Sequence, residues 1–449
     1  MPDPADPRSP CICPAVGGLP PGPCPLPGCA GRHRGPDPPA GRSGRNSASG
    51  VSAARWRRAL SAQAVLAQAA WVGIRLIIGY RALSEGADPV FLGVLASSFA
   101  LPALLTALPA GRLADRFGGT AMAFIGLLTA AAGTLLMLAV RGLPVLLAAS
   151  AIIGLGHLMV MVGQQAFVAH VSSEGSTDSA FGTLTAAASI GQLIGPPAVT
   201  LVASLGIADG AAPDTTLGLL VCLGFSALAT PAYFFLRRTD AGLRRGRRKT
   251  AAEPVSVAGV LKAPGLWRSL VVSGAVLVTV DLMYAFVPVW ATEQKVSAAV
   301  VGMLLALRAA VSVASRLGLT RLIARFGRKA MLVVSIGAAA LSLAALPLVG
   351  PFGAIAVMVG LGLGLGIPQP LTMAWVVALT ASSSHGAVLG LRMTVNRLAQ
   401  ITLPIAVGSF AAPLGVLGIF WANAALLLGA IAVVAGSDAG QPPGADTLT

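Results

Sequence analysis

Twelve apolar stretches, each long enough to cross a bilayer, follow one another along the chain. They run over roughly 61–80, 90–110, 121–140, 143–166, 179–204, 216–236, 268–290, 299–318, 329–349, 353–378, 387–411 and 414–436. About 20 apolar residues in a helix span a hydrocarbon core of roughly 30 Å, and inside lipid a helix satisfies every backbone polar group internally. Only 10% of the residues are charged, against about 25% in soluble domains. A water-soluble fold has no interior large enough for so many apolar runs. The expected fold is therefore an all-α integral membrane protein with twelve transmembrane helices.

The stretch GRLADRFGG at 111–119, between the second and third spans, has a partial copy in TRLIARFGRK at 320–329. Aligned without a gap, residues 93–122 and 302–331 share 11 identities in 30 columns, from Gly93 over Gly302 to Met122 over Met331. Low complexity could match the Leu and Ala columns, but hardly the Arg, Phe and Gly ones. The chain is read as a duplication: two pseudo-symmetric six-helix bundles, at 58–236 and 268–436, joined by a basic linker at 237–267.

Positive charge sets the orientation, because loops rich in Lys and Arg stay on the cytoplasmic side. The 111–120 loop, the central linker with Arg237, Arg238, Arg244, Arg245, Arg247, Arg248 and Lys249, and the 319–329 loop are all basic. On the other side Arg81 is offset by Glu85 and Asp88, and Asp209 and Asp214 stand unopposed. Both termini are thus expected in the cytoplasm of a multi-pass cell-membrane protein. Residues 1–57 form a Pro/Gly/Arg-rich leader expected to be disordered, and 437–449 a short polar tail. The net charge of +15 is spread over span ends, so a nucleic-acid partner is not expected. Cys11, Cys13, Cys24 and Cys29 lack the paired spacing of a zinc site, and no metal is expected.

Ionisable groups at bilayer depth are costly and face a cavity or a partner. Arg75 lies deep in span 1 and Asp281 deep in span 7, equivalent helices of a duplicated fold, so the two are candidates for an ion pair between the halves. Asp281 is the acidic residue nearest the middle of any span. Taking up a proton relieves the cost of burying its carboxylate, which makes it the candidate for coupling transport to protons unless Arg75 or Arg308 holds it ionised. Arg308, central in span 8, has Phe99 as its repeat counterpart; it either pairs with Asp281 or presents positive charge to a substrate. Tyr284 follows Asp281 by one turn on the same face and is placed to hydrogen-bond to it or to substrate. Span 11 carries Arg392, Asn396 and Gln400 at four-residue spacing, a polar stripe facing one way, with Arg397 off it. The equivalent positions of span 5 are Leu184, Ala188 and Gln192.

Span 5 holds Gly182, Gly191, Gly195, Pro196 and Pro197, and span 10 holds Gly360, Gly362, Gly364 and Gly366 before Pro368. Small residues permit close helix approach and prolines remove backbone donors, so both read as bending elements. Spans interrupted in this way are where transporters bind substrate.

These motifs resemble those of the major facilitator superfamily, the twelve-span secondary transporters. The stretch at 111–119 is similar to the family signature Gly-x-Leu-Ala-Asp-Arg-x-Gly-Arg-Lys: Gly111, Asp115, Arg116 and Gly118 match, while Gly119 and Thr120 replace the basic pair. The copy keeps Arg325, Gly327, Arg328 and Lys329, with Thr320 and Ala324 in place of Gly and Asp. Gly182, Gly191, Gly195 and Pro196 match the antiporter motif of the family in register, with Thr200 and Leu201 replacing its terminal glycine pair. The span 4 Arg-Gln-Gly signature of the proton-coupled exporters is replaced by Gln164-Gln165. The resemblance implies alternating access of two bundles about a central site, with the signature loop as a latch between them. It also implies transport rather than catalysis, with no cofactor beyond a coupled proton. The expected activity is proton-coupled export of a hydrophobic or amphipathic small molecule by a monomer; the alternative is a facilitator or importer of a small organic anion held by the central arginines.

Overall fold

The computed structural model describes residues 43–171, 177–208, 211–244, 265–379, 385–411 and 414–436. Those residues form fifteen α-helices and one short 3-10 turn, with no strand among them. In order the helices are α1 (Ser43–Ser84), α2 (Pro89–Ser98), α3 (Leu101–Phe117), α4 (Gly119–Ala139), α5 (Leu143–Val171), α6 (Thr177–Ala203), α7 (Thr215–Arg244) and α8 (Leu266–Glu293). After these come α9 (Ala298–Ala314), α10 (Leu319–Phe326), α11 (Arg328–Ala345), α12 (Pro351–Gly366), α13 (Pro368–Ala378), α14 (His385–Ala411) and α15 (Gly415–Ala435). Of the stretch read as leader, residues 1–42 lie outside the described residues, as do 245–264 of the linker and the tail from 437; α1 already begins at Ser43.

Among the described residues, ten helical stretches are long and apolar enough to cross a membrane, two fewer than the predicted spans. The difference has physical causes. Helix α9 is apolar but only 17 residues long, because the chain turns before α10. Helix α14 has the length, 27 residues, but carries Arg392, Asn396, Arg397 and Gln400. The outer surface is apolar in a way water does not tolerate: Phe352 is 89% and Leu341 73% exposed, and side chains like these suit a lipid solvent.

Local chemistry starts and stops the helices where the sequence demands. Asp88 caps α2, its Oδ1 accepting from the Phe91 N–H at 2.7 Å with Pro89 in the first turn, and Asp214 accepts from Thr216 N–H at 2.8 Å at the head of α7. Such caps satisfy donors that a helix start leaves free. Gly118 and Gly327 take φ of +97° and +79°, ending α3 and α10 and opening α4 and α11; side chains rarely adopt that conformation. Span 2 breaks between α2 and α3 at Phe99 and Ala100, and span 10 breaks at Ile367 before Pro368. Helix α6 runs through Pro196 and Pro197 without interruption.

The repeat extends far beyond its identical residues. Helices α1 and α8 end at Ser84 and Glu293, the next caps are Asp88 and Ser297, and α3 and α10 end at Phe117 and Phe326. Each pair is 209 residues apart, the offset of the sequence alignment. The packing obeys the same relation. Helix α2 lies against α14 and α9 against α6. A side chain at Gly93 would strike the Pro404 carbonyl, and one at Gly302 would strike Thr200 and, at 2.9 Å, the Pro196 carbonyl. Gly93 and Gly302 are repeat partners 209 residues apart, and Pro196 and Pro404 correspond at an offset of 208. Two copies of one contact therefore join the halves, each glycine letting its helix ride onto a proline-containing turn. Ser97 adds a hydrogen bond across the first copy, its Oγ donating to the Ile401 carbonyl at 2.7 Å.

Candidate functional site

Between the halves Arg75, Asp281, Arg397 and Gln400 form one polar network. Arg75, from α1, donates through Nη1 to Asp281 Oδ1 and through Nη2 to the Asp281 backbone carbonyl at 3.3 Å. The two side chains are only 7% and 14% exposed. The other carboxylate oxygen, Oδ2, accepts from Gln400 Nε2 on α14, and Gln400 Oε1 in turn accepts from Arg397 Nη1 at 2.9 Å. Both oxygens of Asp281 are thus engaged by donors, one from each half of the chain.

Aromatic rings surround this ion pair. The Arg75 guanidinium lies 5.4 Å from the Trp71 ring centre, 5.7 Å from Phe99 and 5.6 Å from Tyr284. Trp71 meets Phe99 edge-on at 5.3 Å and stacks flat on His157 at 3.9 Å. Arg308 does not reach Asp281 here. Its Nη2 donates to the Tyr284 hydroxyl at 3.2 Å, with the guanidinium 5.8 Å from the same ring.

The repeat offset explains this arrangement. Arg75 and Tyr284 are 209 apart, and so are Phe99 and Arg308. One half places arginine on its first span and an aromatic ring on its second; the other half reverses the two. A cation–π pair is kept in both, while the positive charge sits at non-equivalent places. A small cavity of about 10 Å³, roughly the space of one water, is lined by Arg75, Gly79, Ala96 and Phe99 among others. At the equivalent positions of the other half stand Pro288 and Leu305, which are larger.

The remaining sequence candidates are placed unevenly. Asn396 is buried and its Oδ1 accepts from Ser273 Oγ at 3.2 Å, so Asn396 and Gln400 both bond to α8. Arg392, at the end of the stripe, is only partly buried, and its Nε has no hydrogen-bond partner. Gly191 and Gly195 press α6 onto the Val65 and Ala69 carbonyls of α1, at 2.5 and 2.6 Å from where a Cβ would stand, whereas among the described residues nothing lies within 4 Å of where a Gly182 Cβ would stand. Arg116 and Arg325 are exposed, each 5.4 Å from the following phenylalanine ring. The surroundings of Gly111 and the Asp115 side chain lie outside the described residues, so the signature latch is not observed. Sequence reasoning set Arg397 aside and did not use Trp71 and Phe99 as partners of Arg75. The offset of 209 carried to Arg75 would have pointed to the two arginine–aromatic pairs.

A duplicated, helical membrane protein with an ion pair between its two halves has the architecture of a secondary transporter. Residues 60–401 and 282–446 match the profile of the Major Facilitator Superfamily, and the chain belongs to that family. No curated protein matches it significantly in sequence. Among solved structures, it resembles a mutant form of the nucleoside transporter NupG, with a TM-score of 0.69 at 14% identity over 85% of this chain and 98% of the other. A POT family transporter in complex with a thioalcohol-conjugated peptide gives 0.66 at 14% over 85% and 95%. A bacterial homologue of the human lysosomal transporter Spinster, inward-facing and occupied, gives 0.65 at 14% over 84% and 94%. At such identities these similarities speak for the fold.

Proposed function

We propose that the chain is a proton-linked secondary transporter working by alternating access. Its twelve spans form bundles of six at 58–236 and 268–436, with α9 continued by α10 and α14 serving as the polar eleventh span. Basic loops support a cell-membrane location with both termini in the cytoplasm, and the protein acts as a monomer. The nucleoside and peptide named for the structural neighbours are chemically unlike, so they select no substrate for this chain.

The carrying observation is that Asp281 is held by Arg75 from the opposite half and by Gln400 from its own. When the halves rock, the Arg75 contact is the one that must stretch. A carboxylate left unpaired at that depth costs several kcal/mol unless it takes up a proton, so proton binding and rocking become linked. Export of an amphipathic compound is supported by the pattern of Gly182, Gly191, Gly195 and Pro196. The organic-anion reading is favoured by a different observation, the excess of arginine over carboxylate in the network.

The test is solute flux into sealed vesicles under an imposed pH gradient, with the parent compared with Asp281→Asn at matched abundance. Gradient-driven flux is expected to fall to background in the variant while solute exchange without a gradient persists. Full gradient-driven flux in Asp281→Asn would remove Asp281 from the coupling role.

A further inference from the structure

We infer that Arg308 is the residue that recognises the transported compound, and that this compound is an organic anion carrying a carboxylate, sulfonate or phosphate group. The inference rests on the transporter reading and assigns that reading its substrate class.

Arg308 is 2% exposed. A guanidinium offers five N–H donors; here the Tyr284 hydroxyl, a neutral group, takes one at Nη2, and Nε has no partner. Fully buried cations are ordinarily matched by an anion. Arg75, Arg308 and Arg397 share the network with a single carboxylate, Asp281. The other carboxylates whose side chains are described, Glu85, Asp88, Asp214 and Glu293, stand at helix ends. Were Asp281 to move to Arg308, Arg75 would lose its counter-charge, so among the described residues one carboxylate faces more than one arginine in either pairing.

The scaffold does not require arginine at this position. Its repeat partner is Phe99, which packs against Trp71 in an equivalent helix. Charge at Arg308 is therefore not a feature shared by the repeat. Gly362 packs α12 against the Arg308 carbonyl, 2.8 Å from where a Cβ would stand, five residues before the break at Ile367. Interrupted helices commonly border transporter binding sites. The aromatic ring recorded beside Arg308 is that of Tyr284, 5.8 Å from the guanidinium.

Thermal unfolding of the purified full chain in detergent tests this without reference to flux. The probes are benzoate, benzenesulfonate and phenyl phosphate, with neutral benzamide as control. At least one anion should stabilise the parent saturably and benzamide should not. Arg308→Gln should weaken that effect about tenfold or more, the loss of a charge-assisted contact, and Arg308→Lys should restore part of it. Without ligand, Arg308→Gln should melt no lower than the parent, because an unmatched charge has been removed. No stabilisation by any of the three anions overturns the proposal. So does stabilisation that survives Arg308→Gln, which would leave Arg308 as an alternative partner of Asp281. Anion binding without vesicle flux would keep the site and sink the transporter reading.

Discussion

At the scale of single residues, the network turns on one carboxylate between competing donors. Arg75 and Asp281 were legible as partners because the duplication made spans 1 and 7 equivalent, and equivalent helices meet near the pseudo-twofold axis. The contact of Gln400 with Asp281 was less so, since four-residue spacing fixes a face of α14 but not the helix it meets. Arg397 was misjudged for a related reason: it lies about 100° around the helix from Asn396, yet its long side chain swings back to Gln400. Removing one partner of a buried pair strands the other, so Arg75→Gln and Asp281→Asn should be non-additive. A double-mutant cycle by SDS-induced unfolding should give a coupling energy of about 2 kcal/mol. Additive losses would mean that the pair contributes nothing as a pair.

At the scale of elements, the sequence revealed nearly every helix because lipid demands continuous apolar runs. Its limits were at the polar and interrupted spans: α9 stops short, and the break between α2 and α3 was not foreseen, whereas the one at Pro368 was signalled by the glycines before it. The glycines of the antiporter motif also divide by environment, which no spacing discloses. Gly191 and Gly195 are pressed against α1, while among the described residues nothing lies within 4 Å of where a Gly182 Cβ would stand. Gly182→Ala should leave stability unchanged or raise it by up to about 1 kcal/mol, the helix-propensity gain. Gly302→Val, forced against Thr200 and the Pro196 carbonyl, should cost about 1–3 kcal/mol and slow the exchange between states. Unfolding of the two variants side by side checks both; a Gly302→Val protein as stable as the parent would mean that α6 and α9 are not in firm contact.

At the scale of the whole molecule, the two joints, Gly93 on Pro404 and Gly302 on Pro196, are copies of each other, while the charges between them are not. On the proposed mechanism the symmetric joints carry the rocking, and the asymmetric charged centre holds the substrate. The duplication was readable from 11 identities, but the reversal of arginine and aromatic ring between the halves emerged only when helix ends showed the offset to hold back through α1. The central claim is that the halves exchange between two arrangements and that the Arg75–Asp281 contact biases the exchange. Spin labels at Ser84→Cys and Gln294→Cys, exposed positions at the ends of α1 and α8, report it by pulsed dipolar spectroscopy in a background with the native cysteines replaced. Two distance populations are predicted, with their ratio shifted in Arg75→Gln. A single narrow distance, the same in both proteins, would contradict the account.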